Sequence, residues 1–291
     1  MSSGPFVMQE RLQSDERWMS DRSRIYEVAP GQTSNIVDVG TGVPTMFVPM
    51  LEELNVVYSP QMRAVSEAGR RAITYAPLLQ TKRRLSVSDR VSELAAMADF
   101  LRLTTFDLVA WSDTAAVAHR FALQYPERVR SLTFVVVPDV YRLPTTLRLL
   151  LWPLVNLPIE RLVPIELVAF ILGCYMSGPL LDARTVRSVA RRIPNLGAVL
   201  KWSCLPCIEE HRVAGTSSLP PVLVIAGRLS RVVTVQQAQS LHRATGSKEA
   251  IVIIDNGEHV ATYSNHAEVT KALLGFLKGL SGDTTAARGT K

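Results

Sequence analysis

The chain has 291 residues, 47% of them apolar and 20% charged, so it has ample length for a core and fits one large globular domain or a domain with an insertion. Its net charge of +6 comes from scattered arginines; the densest run, Lys82-Arg83-Arg84, is short and has no binding motif beside it, so a solvated loop is expected and a nucleic-acid surface is not. Three cysteines give no even disulfide framework, and the first 25 residues lack the apolar segment of a signal peptide, so a reducing, cytoplasmic setting is expected.

Residues 1–23 are polar with scattered large apolar side chains (Phe6, Met8, Leu12, Trp18, Met19), which fits a disordered arm or a helix packed on the body. Residues 24–140 and 219–280 then alternate strand and helix. Arg24–Val28 and Asn35–Val39, joined at Pro30-Gly31, read as a hairpin. Thr45–Val48 is a buried strand, Ser59–Ala68 a helix, Ala72–Ala76 a strand, and Ser88–Leu101 an amphipathic helix opened by polar residues through Arg90.

Phe106–Val137 organises the rest. An apolar run to Ala110 meets a tight corner, Trp111-Ser112-Asp113. An Ala-rich helix follows from Thr114 to Gln124 and stops at Tyr125-Pro126, and Leu132–Val137 is apolar again. This is one βαβ unit of a parallel sheet, with Ser112 or Asp113 placed to cap the helix and Pro126 excluding helical geometry before it.

Residues 141–218 break the alternation. They are helical in pattern and apolar (Leu149–Trp152, Leu167–Leu172), which suits a cap over an apolar pocket. The uncharged run Leu167–Leu181 has 15 residues and is interrupted by Gly173 and Pro179, too short to span a membrane. Cys204-Leu205-Pro206-Cys207 precedes His211 by four residues, but half of a zinc site is missing unless Cys174 joins, so buried thiols are expected, with no metal and no cofactor. The strand–helix pattern resumes with Val222–Ala226, Gln236–Ala244, Ala250–Ile254 and a closing helix from Ala267 to Leu280. Residues 281–291 read as a frayed tail.

Two stretches resemble the α/β-hydrolase family. Leu108-Val109-Ala110-Trp111-Ser112 followed by Tyr125-Pro126-Glu127-Arg128-Val129-Arg130-Ser131-Leu132 is similar to its nucleophile elbow and the strand beyond, and Asp255-Asn256-Gly257-Glu258-His259 to its histidine loop. The elbow Ala110-Trp111-Ser112-Asp113-Thr114 replaces both glycines of G-x-S-x-G, and Pro49-Met50 stands where the family carries His-Gly. The resemblance implies a mostly parallel eight-stranded sheet flanked by helices, with a helical cap inserted after the sixth strand. It implies Ser112 as nucleophile and His259 as base, with an oxyanion held by the backbone N–H of Asp113 and of Met50 or Leu51. Ser230 occupies the usual place of the acid; Asp139, after the preceding strand, is the alternative. Trp-Ser-Asp is also similar to the elbow of valacyclovirase-like esterases, in which the Asp meets a substrate ammonium.

Three functions stay open. One is hydrolysis of an ester, thioester or lactone of a lipophilic small molecule bound by Trp111, Asp113, Trp152 and Phe170. The second is a cyclase or lyase using His259 or Asp113 for acid–base work, and the third a silent binding protein. The apolar cap leaves room for a homodimer.

Overall fold

The structure, a computed structural model, describes residues 5–78, 85–142, 145, 149, 206–207, 209–214 and 219–286. Eight strands, β1 (Ser23–Ala29), β2 (Gln32–Val39), β3 (Pro44–Phe47), β4 (Arg71–Tyr75), β5 (Phe106–Trp111), β6 (Val129–Val135), β7 (Val222–Gly227) and β8 (Val252–Ile254), form one sheet in the order β1-β2-β4-β3-β5-β6-β7-β8. β2 pairs antiparallel with β1 and with β4; every other pairing is parallel. The mostly parallel eight-stranded sheet of the sequence reading is present, and the long insertion falls after β6. Residues predicted as the helical cap, with Trp152, Phe170, Cys174 and Cys204, lie outside the described residues apart from short pieces at its two ends.

Helices cover both faces because the central strands are apolar on both sides. β5 is buried at all six positions. Its Phe106, Leu108 and Ala110 pack with α3 (Val87–Phe100), α4 (Thr114–Gln124) and α5 (Val235–Thr245). Val109 and Trp111 face α1 (Pro5–Arg22), α2 (Ser59–Glu67), the short α6 (Ala261–Ser264) and α7 (His266–Ala286). This is the period-2 alternation of a strand resolved onto two cores.

Of the two alternatives for the N-terminus, a packed helix is what forms. Leu12 and Met19 of α1 enter the second core. Asp15, only 5% exposed, is met by Arg63 Nη2 at 3.0 Å, Arg11 Nε at 3.5 Å and the Tyr263 hydroxyl at 3.2 Å. α7 continues to Ala286, so its helical geometry outlasts the tail boundary placed at 281.

The end of β7 and the loop that leads to His259 are fused by two glycines. A Cβ on Gly227 would lie 2.6 Å from the Gly257 carbonyl oxygen, and one on Gly257 would lie 2.7 Å from Gly227 Cα. Leu229 N–H bonds Gly257 O at 2.8 Å across this contact. Backbone cannot yield as a flexible side chain does, so Gly227→Ala should destabilise the fold by about 2–3 kcal/mol. Urea unfolding of wild type and variant checks this.

Candidate active site

Ser112 sits at the carboxyl end of β5 with φ +53°, a left-handed conformation uncommon outside glycine. The corner is held from several sides. Ser112 N–H bonds Val135 O at 3.1 Å, extending the ladder to β6. Ser112 O accepts from Ala115 N–H at 3.2 Å and from the Tyr141 hydroxyl at 2.6 Å. Val136, one residue beyond β6, also has positive φ, +52°. For a β-branched side chain this costs about 1–3 kcal/mol, so the sheet's carboxyl edge stores strain beside Ser112.

The expected capping of α4 takes another form. Asp113 occupies the N-cap position, but its side chain makes no capping bond. Thr114 Oγ1 closes the corner instead, accepting from Trp111 N–H at 3.0 Å and donating to Trp111 O at 2.9 Å. Asp113 keeps intermediate exposure as a whole residue, yet burial of its carboxyl pushes the pKa up to about 8, offset in part by the Ser112 side chain. The carboxyl therefore carries its proton through much of the neutral range.

His259 reaches Ser112 from the loop after β8. Its Nε2 lies 3.1 Å from Ser112 Oγ, and both residues are at most 5% exposed. Trp111 fixes the loop, donating its indole N–H to His259 O at 2.7 Å, with the two rings 5.6 Å apart. Trp111, expected against substrate, is thus 2% exposed and committed to the histidine loop. On the far side, Gln61 Nε2 bonds Thr262 O at 2.8 Å, and Arg11 Nη2 bonds Tyr263 O at 3.2 Å. The serine and the histidine are brought together; the acid is not. Asp139 accepts from Ser240 Oγ at 2.6 Å on α5, and Ser230 Oγ accepts from Val233 N–H at 3.1 Å in its own turn. Among the described residues His259 Nδ1 is buried without a partner.

That orphan nitrogen has a chemical consequence. To accept a proton from Ser112, Nε2 must be bare and Nδ1 must carry the hydrogen. A buried N–H without an acceptor costs about 1–3 kcal/mol, which favours the opposite, unproductive tautomer. Burial also pushes the His259 pKa down to about 4.

The oxyanion candidates are main-chain groups. The N–H groups of Leu51 and Asp113 have no main-chain partner among the described residues. Leu51 is extended (φ −136°, ψ 155°) ahead of the 3₁₀ turn Glu52–Tyr58, and both Met50 and Leu51 are buried.

Several buried polar residues around the site were not read from the sequence. Tyr58, Glu93 and Tyr141 are among them, and Arg90, read as part of a polar helix opening, is 2% exposed. His211 is likewise buried: its Nε2 faces His119 Nδ1 at 3.1 Å, while His119 Nε2 faces Ala214 O at 2.9 Å. The carbonyl only accepts, so His119 carries its hydrogen on Nε2 and His211 donates to Nδ1. Burial, then His119 and Arg120, pushes His211 down to about 3; burial lowers His119 as well, opposed by its bond to Ala214 and helped by Arg120, so the pair stays neutral. Cys207 is partly buried, and among the described residues no three His, Cys, Asp or Glu side chains converge as metal ligands. Also among them, no helix is long and apolar enough to cross a membrane.

No family model matches the sequence, and no curated protein does. Solved structures match along nearly the whole chain. An esterase from Thermogutta terrifontis superposes with a TM-score of 0.75 at 16% identity, covering 86% of this chain and 94% of its own. A bromoperoxidase from Bacillus anthracis gives 0.69 at 19%, covering 88% and 99%. An epoxide hydrolase from Vigna radiata gives 0.68 at 17%, covering 89% and 99%. With its strand order and elbow, the chain has the α/β-hydrolase fold.

The histidines also make stability depend on pH. Unfolded, His259 takes a proton near pH 6.5; folded, it resists until about pH 4. Between those values the unfolded chain binds more protons, so stability falls as pH falls through that window, with His119 and His211 adding to the slope. His259→Gln should reduce the loss between pH 7 and pH 4.5 by about 2 kcal/mol, measured by urea unfolding at both values.

Proposed function

We propose that the protein is a serine hydrolase acting on an ester, thioester or lactone of a lipophilic small molecule through a Ser112–His259 dyad. The observation that carries this reading is the 3.1 Å approach of Ser112 Oγ to His259 Nε2, with the serine on a left-handed corner between strand and helix. In the reaction Ser112 attacks the carbonyl carbon while His259 takes its proton. The N–H groups of Asp113 and of Leu51 or Met50 hold the oxyanion. His259 returns the proton to the leaving alcohol or thiol, and water repeats the sequence on the acyl-enzyme. The enzyme names of the structural neighbours, an esterase among them, agree with this class but do not choose the substrate.

Among the described residues no carboxylate bonds His259 Nδ1, and Asp139 serves Ser240 instead. The imidazolium formed at each proton transfer is then poorly stabilised, and turnover is slow. A protonated Asp113 favours a neutral or hydrogen-bond-accepting group near the elbow over an ammonium. The second reading, a cyclase or lyase, gains support from the orphaned Nδ1 and from that same protonated Asp113, which can act as an acid without any acyl-enzyme.

A fluorophosphonate probe should label the wild-type protein and leave Ser112→Ala unlabelled; an unlabelled wild type would shift weight to the second reading. With p-nitrophenyl butyrate as substrate, Ser230→Asp should raise kcat about tenfold or more by restoring an acceptor for His259. Asp139→Asn should change it by less than about threefold.

A further inference from the structure

Tyr58 stands where the sheet would otherwise have closed. β3 and β5 run parallel, and their last direct bond joins Val48 N–H to Val109 O at 2.9 Å. In a parallel ladder the next bond would run from Trp111 N–H to Val48 O. Here the Tyr58 hydroxyl lies between them, accepting from Trp111 N–H at 3.2 Å and donating to Val48 O at 3.1 Å. A bond through one oxygen replaces a direct one, so the two strand ends are splayed by the width of a hydroxyl. Tyr58 is 2% exposed, and burial pushes its pKa up to about 12, so it stays a neutral donor and acceptor. The next carbonyl of the same wall, Pro49 O, accepts from Arg90 Nη2 at 2.6 Å, and Arg90 is paired with Glu93 at 2.5 Å.

The strand ends fixed in this way carry the two oxyanion donors of the proposed reaction. Trp111 is two residues before Asp113, and Val48 is three before Leu51. Pro49-Met50 gives the wall a proline and a side chain where the resembling family has His-Gly, so the freedom of a glycine to approach substrate is lost. We propose that Tyr58 is a positioning residue for the oxyanion hole: its hydroxyl, inserted into the β3–β5 ladder and seconded by Arg90 on Pro49, sets the gap between the Leu51 and Asp113 N–H groups. This rests on the serine-hydrolase reading, because it assigns the gap to an oxyanion. Removing the hydroxyl leaves Trp111 N–H with Thr114 Oγ1 but strips Val48 O of its donor, so the strand ends either close on each other or loosen.

The test compares wild type with Tyr58→Phe, and with Arg90→Lys as a milder change in the same wall. Two readouts are taken: the rate constant for fluorophosphonate labelling of Ser112, and hydrogen–deuterium exchange across 46–58, 107–115 and 266–280. Tyr58→Phe should slow labelling about ten- to a hundredfold, with KM for p-nitrophenyl butyrate within about twofold of wild type. Exchange should quicken at 46–51 and 111–114 and stay unchanged in α7. Arg90→Lys, which keeps a donor for Pro49 O, should fall between the two. Unchanged labelling and exchange in Tyr58→Phe would overturn the proposal, as would a faster exchange spread evenly through the protein. If the wild type takes no label, the hydrolase reading and the oxyanion role fall together. The exchange arm then still decides whether the hydroxyl braces the two strand ends.

Discussion

The left-handed corner at Ser112 is the constraint on which the site depends. A strand that ends in ordinary extended geometry would carry its next side chain back toward the sheet face. With φ at +53°, the chain turns sharply into α4 and lifts Ser112 to the carboxyl edge, where His259 meets it. Ser112 pays this conformational cost with bonds to Val135, Ala115 and Tyr141, and the substitution of both elbow glycines makes those bonds the more necessary. Tyr141 leads into the insertion after β6, so the described start of that insertion is tied to the corner itself.

The histidine is held as firmly, through its main chain. Trp111 bonds its carbonyl, Gly227 and Gly257 interlock before it, and Gln61, Arg11 and Asp15 bond the turn after it. The N-terminal helix is therefore part of the support of the site, 11 to 15 residues from the start of the chain. Among the described residues the histidine's second nitrogen meets no polar partner. Its orientation comes from packing and main-chain bonds, while its tautomer and charge are left without electrostatic help. Structure and chemistry separate here: a well-placed imidazole need not be a strong base in a dry site.

Much of this was legible in the sequence. The eight strands and the helices between them follow from apolar runs and from breakers such as Pro126. The pairing of Ser112 with His259 in space was legible because both lie in short local patterns. The acid was not legible, because the fate of Asp139 depends on Ser240, which is 101 residues away in sequence and adjacent only in the fold. Arg90 and Tyr58 were missed for a related reason. An arginine within a helix opening reads as solvated, and a tyrosine at the end of a short turn as one more apolar side chain, until the carbonyls of Pro49 and Val48 are placed against them. The burial of His211 was likewise not legible, since its partner His119 sits on α4, 92 residues away in sequence. The boundary set at 281 was missed because a polar composition does not by itself end a helix.

The most direct test of the account is a rapid-quench experiment with p-nitrophenyl butyrate, followed by intact-protein and peptide mass analysis over the first turnover. If Ser112 is the nucleophile and His259 its unsupported base, a butyryl group should accumulate on the peptide carrying Ser112 before steady state. Release of nitrophenol with no covalent adduct at any time, or an adduct confined to another residue, would contradict the assignment of Ser112 and His259 as an acyl-transfer pair.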